Sequence, residues 1–147
     1  MTLKCYMADT GLLISHTFDE KQLVSEELYR KLLMDKLEVN AGMLIENVVA
    51  QMLAAAGHKL YFYSNADNKD AENRMEIDFL IRKDVVTSRH NIIPIEAKSS
   101  SGYTTHSLNK CVRKFGEYVT QPTVIHPSDY KEDDGKRYLP LYMTPLL

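Results

Sequence analysis

The stretch from about Met43 to Ala56 is apolar around most of a helical circumference, with Leu44, Ile45, Val48, Val49, Met52 and Leu53 set among alanines. A helix with so little polar surface must be covered on more than one side, so it is expected at the centre of a domain, closed by Gly57 as a C-terminal cap. The segments after it tell what covers it. Lys59–Ser64, Glu76–Arg82, Asn91–Lys98 and Pro122–His126 are rich in Ile, Val, Phe and Tyr and have strand length. Between the last two, Ser107–Val119 places Leu108, Val112, Phe115 and Val119 on one helical face. The predicted order is helix, three strands, helix, strand, an α/β fold with a mixed central sheet flanked by helices.

Around this core, Leu3–Met7 is expected as a short strand, ended by the turn and capping residues Ala8-Asp9-Thr10-Gly11. An amphipathic helix is expected from Asp19 to about Leu37, on Leu23, Leu28, Leu32, Leu33 and Leu37. Asn65–Asn73 and Ser99–Gly102 are polar connections, and Asp129–Lys136 is expected as a charged loop. Tyr138–Met143 is expected as an edge strand, because Pro140 cannot donate to a ladder. The expected layout is one domain over 1–147: an N-terminal strand and helix to residue 40, a core over 42–126, and a C-terminal loop and edge strand over 127–147.

With 147 residues, a net charge of −2 and two cysteines, the chain has length for one core, no strong field toward nucleic acid, and too few thiols for a disulfide framework. No apolar run reaches the roughly 18 residues that span a bilayer. A cytoplasmic protein with no membrane association is expected.

Chemistry concentrates in the middle strands. Pro94, Glu96 and Lys98 share one face of their strand, and a carboxylate and an ammonium there follow a nearly continuous apolar run. Burying them is costly unless they are paired or bind a metal. Asp78 is the mid-strand acid of the strand before. With matched register, Asp78 and Glu96 converge on one hard divalent cation. Glu46 has Met43, Val49, Ala50 and Leu53 as helical neighbours, so its carboxylate is also a candidate. The expected chemistry is phosphodiester hydrolysis. Asp78, Glu96 and Glu46 hold Mg²⁺ or Mn²⁺, the metal activates water, and Lys98 steadies the charge of the transition state. The plainer alternatives are an ordinary Glu96–Lys98 ion pair and a Glu46 paired with a cation such as Lys98. Lys110, Arg113 and Lys114 form a compact basic face on the second helix, a candidate phosphate-backbone contact or a solvated surface. Cys111 is expected to pack, and His58, His90 and His126 to lie in loops or at the surface.

Ile77-Asp78-Phe79 and Pro94-Ile95-Glu96-Ala97-Lys98, preceded by a helical glutamate, resemble the PD-(D/E)xK nuclease superfamily, the restriction-endonuclease-like fold. More narrowly, Tyr6–Leu13, Gly42–Asn47 and Pro94–Ser99 resemble the C-terminal domain of prokaryotic AAA-type ATPases, the domain of unknown function 4143. The resemblance runs from about Lys4 to Pro145. It implies that Glu46, Asp78, Glu96 and Lys98 stand at the superfamily's active-site positions. It also implies that an ATP-binding module belongs to the parent chain, since no G-x-x-x-x-G-K-[ST] loop is present here. DNA and a second copy of the chain are the remaining candidate partners. The alternative to a nuclease is a catalytically inactive DNA- or protein-binding or dimerisation module.

Overall fold

The computed structural model describes residues 3–20, 40–66, 70–83 and 89–147. The helix expected over Asp19–Leu37 lies almost wholly outside the described residues. Helix α1 (Thr10–Glu20) begins where only a turn was expected: Asp9 caps it, its Oδ1 accepting from the Leu12 N–H at 3.1 Å. Leu3–Met7 is not a strand. It is held by a side chain instead, because Asn47 of helix α2 (Ala41–Ala55) accepts from the Met7 N–H at 2.8 Å and donates to the Met7 carbonyl at 3.1 Å. One amide thereby satisfies both polar groups of Met7.

Helix α2 is capped by Asn40, whose side chain accepts from the Met43 N–H, and it ends at Gly57, whose φ of +90° only glycine adopts without strain. The six-stranded sheet contains β1 (Tyr61–Asn65), β2 (Met75–Arg82), β3 (Ile92–Ala97), β4 (Thr123–His126), β5 (Lys131–Asp133) and β6 (Lys136–Pro140), in the order β1-β2-β3-β4-β6-β5. The first three strands form an antiparallel meander. Helix α3 (His106–Phe115) then carries the chain across to the parallel β4, which pairs with the parallel β6. The core order of helix, three strands, helix and strand matches the expectation. Val49, Ala50 and Leu53 of α2 pack on one face of the sheet against Phe79, Ile81, Ile93, Ile95 and Ile125. Leu108 and Cys111 of α3 pack on the other face with Met75, Ile77, Val124 and Tyr138.

The C-terminal expectations need correction. The charged loop over Asp129–Lys136 contains β5 and the turn into β6, with Asp134 at φ 48° and Gly135 at φ 69°. Two consecutive positive φ values are what a tight two-residue hairpin requires, and Asp-Gly supplies them. The expected edge strand is β6, an interior strand between β4 and β5. Pro140 is tolerated because it is the last residue of that strand, and a 3₁₀ helix (Leu141–Leu146) follows. Within β3, Pro94 leaves the β2–β3 register unbroken, from Phe79↔Ile95 through Leu80↔Pro94 to Arg82↔Ile92. On its other side, β3 meets an isolated bridge at Ile92↔Val119 and the β4 ladder from Ile95↔Thr123, so Pro94 falls in the interval between them.

Candidate functional site

The irregularity of the sheet lies in β2. Two steps along β1, from Tyr61 to Tyr63, match three along β2, from Leu80 to Ile77. The extra residue is a β-bulge at Asp78–Phe79, which reverses the alternation of faces. Ile77 therefore packs on the α3 side and Phe79 on the α2 side. Asp78, expected opposite Phe79, is turned toward α2 along with it.

There Asp78 meets an ion network that the sequence did not reveal. Lys4 Nζ stands 2.9 Å from Glu46 Oε1, 2.9 Å from Glu76 Oε1 and 3.2 Å from Asp78 Oδ1, with 15% of its side chain exposed. Tyr6 donates its hydroxyl to Glu46 Oε1 at 2.7 Å, and Asp78 Oδ2 accepts from the Ala97 N–H at 2.9 Å. Burial works against the charge on Lys4, but its bonds to Glu46 and Glu76 and the nearby Asp78 outweigh burial and hold its pKa well above the ordinary lysine value. Burial, its bond to Glu46 and the surrounding acids raise the Tyr6 phenol. Burial likewise raises the Asp78 carboxyl, opposed by the Ala97 N–H and by Lys4. The network borders a hollow of about 290 Å³ whose lining includes Tyr6, Leu13 and Met43.

Glu96 and Lys98 occupy the opposite face. Strand alternation sets Glu96 against Ile95 and Ala97, which pack on the α2 side. Glu96 is 2% exposed and lies beneath the start of α3, where the nearby Leu108 N–H favours its charged form. Lys98 Nζ is 2.9 Å from Glu96 Oε2, an ion pair poorly aligned as a hydrogen bond. Burial raises the Glu96 carboxyl, Lys98 opposes this, and Asp78 adds to it from across the strand.

The four predicted residues thus form two adjoining groups: Glu46 with Asp78 around Lys4, and Glu96 with Lys98. Asp78 and Glu96 leave neighbouring strands toward opposite faces, and among the described residues no three His, Cys, Asp or Glu side chains are grouped to hold a metal. The position between Glu46 and Asp78, where a divalent cation would bridge them, is taken by an ammonium. As placed, with an ammonium between Glu46 and Asp78 and with Glu96 on the other face, these residues do not gather as the expected Mg²⁺ or Mn²⁺ site requires.

The basic face of α3 is spent within the molecule. Lys110 Nζ donates to the Ala71 and Arg74 carbonyls at 2.5 and 3.2 Å, Arg113 pairs with Glu72 at 2.8 Å, and Lys114 donates to Asn73 Oδ1 at 2.5 Å. Together they fasten the approach to β2 onto the helix. Cys111 packs as expected, and burial pushes its thiol up to about 11. His126 does not lie at the surface: it is buried in β4, with Nδ1 at 3.0 Å from the Tyr103 hydroxyl and Nε2 at 3.1 Å from the Asp129 carbonyl. Among the described residues, no helix is long and apolar enough to cross a membrane.

The fold and its internally paired charges define a mixed α/β domain with a six-stranded sheet between helices. The chain belongs to the family described as Domain of unknown function (DUF4143), whose model matches residues 41–144. No curated protein and no solved structure matches it.

Proposed function

We propose that this chain is a nuclease-like domain without catalysis, a protein-binding module of a larger AAA-type ATPase. The observation that carries the reading is Lys4: a fixed cation bonded to Glu46, Glu76 and Asp78 neutralises the acids that a hydrolytic metal would need. A half-buried ammonium held by three carboxylates is a self-contained charge arrangement, and it keeps these acids compatible with the fold without a metal. The second support is α3, whose Lys110, Arg113 and Lys114 are engaged by residues 71–74 and so offer little to a phosphate backbone. The ATPase context comes from the resemblance of Tyr6–Leu13, Gly42–Asn47 and Pro94–Ser99 to the C-terminal domains of such proteins.

Mn²⁺-dependent nicking of supercoiled plasmid tests the reading. The chain is expected to leave the plasmid intact, with Asp78→Ala and Lys98→Ala indistinguishable from it. Cleavage by the natural chain that disappears in Lys98→Ala would restore the nuclease.

A further inference from the structure

Because the meander is antiparallel, β1 starts, β2 ends and β3 starts at one end of the sheet, away from Glu96 and Lys98 at the far end of β3. That end carries Lys59, Arg82, Lys83 and Arg89, all exposed. Elsewhere Lys4, Lys98, Arg113 and Lys136 each hold a carboxylate. Here, among the described residues, no carboxylate pairs with Lys59, Lys83 or Arg89, and Lys83 Nζ meets the neutral amide of Gln121 at 3.4 Å. Asp84 belongs to the residues outside the description, and Glu117 is adjacent to Tyr118 in sequence; counting both acids against the four cations still leaves a surplus of two positive charges. His58, Lys59, Tyr61 and Arg82 line a hollow of about 300 Å³ at this end. Tyr61 is 57% exposed. Tyr118, 52% exposed, belongs to the same end, since its carbonyl accepts from the Asn91 and Ile92 N–H groups at 3.1 and 3.0 Å.

We propose that this end of the sheet is a docking surface for an acidic segment of a partner protein, with Lys59, Lys83 and Arg89 facing its carboxylates and Tyr61 taking an apolar side chain. Unpaired cations gathered on a chain of net charge −2 depart locally from the sign of the whole, and a patch of that kind steers and orients a partner of opposite charge. Tyrosine and arginine are the residue types that supply much of the binding energy where proteins meet, and Tyr61 and Arg82 share the hollow. A nucleic acid fits this surface less well. Binding through a phosphate backbone draws on roughly 6–10 contacts, more than four cations supply, and the negative chain as a whole has no field to gather a long polyanion. A short run of carboxylates matches both the number and the compactness of the cations.

This inference deepens the protein-binding reading by naming the chemistry of the partner, and it rests on that reading for its purpose. Fluorescence anisotropy of a labelled peptide of Glu-Glu-Leu repeats, titrated with the full chain up to ~100 µM, tests it, with labelled single-stranded oligothymidine as the competing probe. The peptide is expected to bind, more weakly as salt rises, and the oligonucleotide to bind less tightly than the peptide. Lys59→Glu combined with Lys83→Glu is expected to weaken peptide binding about tenfold or more at an unchanged melting temperature. Lys131→Glu, a charge reversal of the same kind on the exposed strand β5 at the other edge of the sheet, is expected to leave it within about twofold. No peptide binding, binding that the double variant leaves intact, an equal loss in Lys131→Glu, or an oligonucleotide bound more tightly than the peptide would overturn the proposal. Plasmid nicking by a chain that binds the peptide would remove the non-catalytic reading and leave the surface standing, whereas an intact plasmid with an unbound peptide would remove the surface alone.

Discussion

Lys4 is the residue on which the charge balance of this domain turns. It is one ammonium facing three carboxylates, so its removal leaves Glu46 and Asp78 close together, partly buried and without a counter-ion. Lys4→Met is expected to lower stability by about 3 kcal/mol, the usual cost of breaking a buried pair from one side, as measured by urea unfolding at pH 7. The same variant is expected to recover part of that loss on adding Mn²⁺, which would then find two acids with no ammonium between them. Glu96 gives a pH signature of opposite origin. Its carboxyl is raised in the fold, so the folded chain binds the proton more readily than the unfolded one. The stability this group contributes is therefore full below the ordinary glutamate range and is lost as pH rises through its folded value. Glu96→Gln, which cannot ionise, is expected to flatten that dependence, and melting curves from neutral to mildly acidic pH in the two proteins should converge toward the acid end. Asn47 is the third decisive residue: it is 3% exposed and bonds both polar groups of Met7. Asn47→Ala is expected to cost about 2 kcal/mol by leaving Met7 unsatisfied, and to speed proteolysis near the N-terminus.

At the scale of elements, the interior is written plainly in the sequence. Strands β2, β3 and β4 have apolar patterns that survive folding nearly residue for residue, because burial on both sides of a sheet leaves little choice of composition, whereas helix α2, expected to be covered on more than one side, buries only Asn47, Val49, Ala50 and Leu53 and leaves Met43 exposed. What could not be read is the bulge in β2. Asp78 and Phe79 alternate in sequence as an ordinary strand does, and only the pairing with β1 makes them share a face. That one extra residue parts Asp78 from Glu96 and gives it to Lys4. Lys4 itself escaped notice because its partners lie 42 and 74 positions away, and no local pattern marks such a contact. The engagement of Lys110, Arg113 and Lys114 is hidden for the same reason. The β5–β6 hairpin, by contrast, did have a signal in Asp134-Gly135, masked by the density of charge around it. Gly135→Ala is expected to cost about 1 kcal/mol, since φ of 69° strains any residue with a Cβ, and thermal unfolding will show it.

For the whole molecule, the sheet separates two populations of charge. Toward α2, acids surround a lysine; toward α3, Glu96 and Lys98 pair beneath a helix start, and the helix's basic residues hold a neighbouring loop. Charge at these groups is thus settled internally, in keeping with a net charge of only −2. The fold class was legible because hydrophobic patterning determines layers. The candidate residues could be picked out in the sequence but their arrangement could not, because which face a carboxylate takes depends on strand register. The most direct test of the account is isothermal titration of the natural chain with Mn²⁺ at neutral pH. A cation position already filled by Lys4 predicts no saturable binding heat. A saturable site that vanishes in both Asp78→Ala and Glu96→Ala would contradict it.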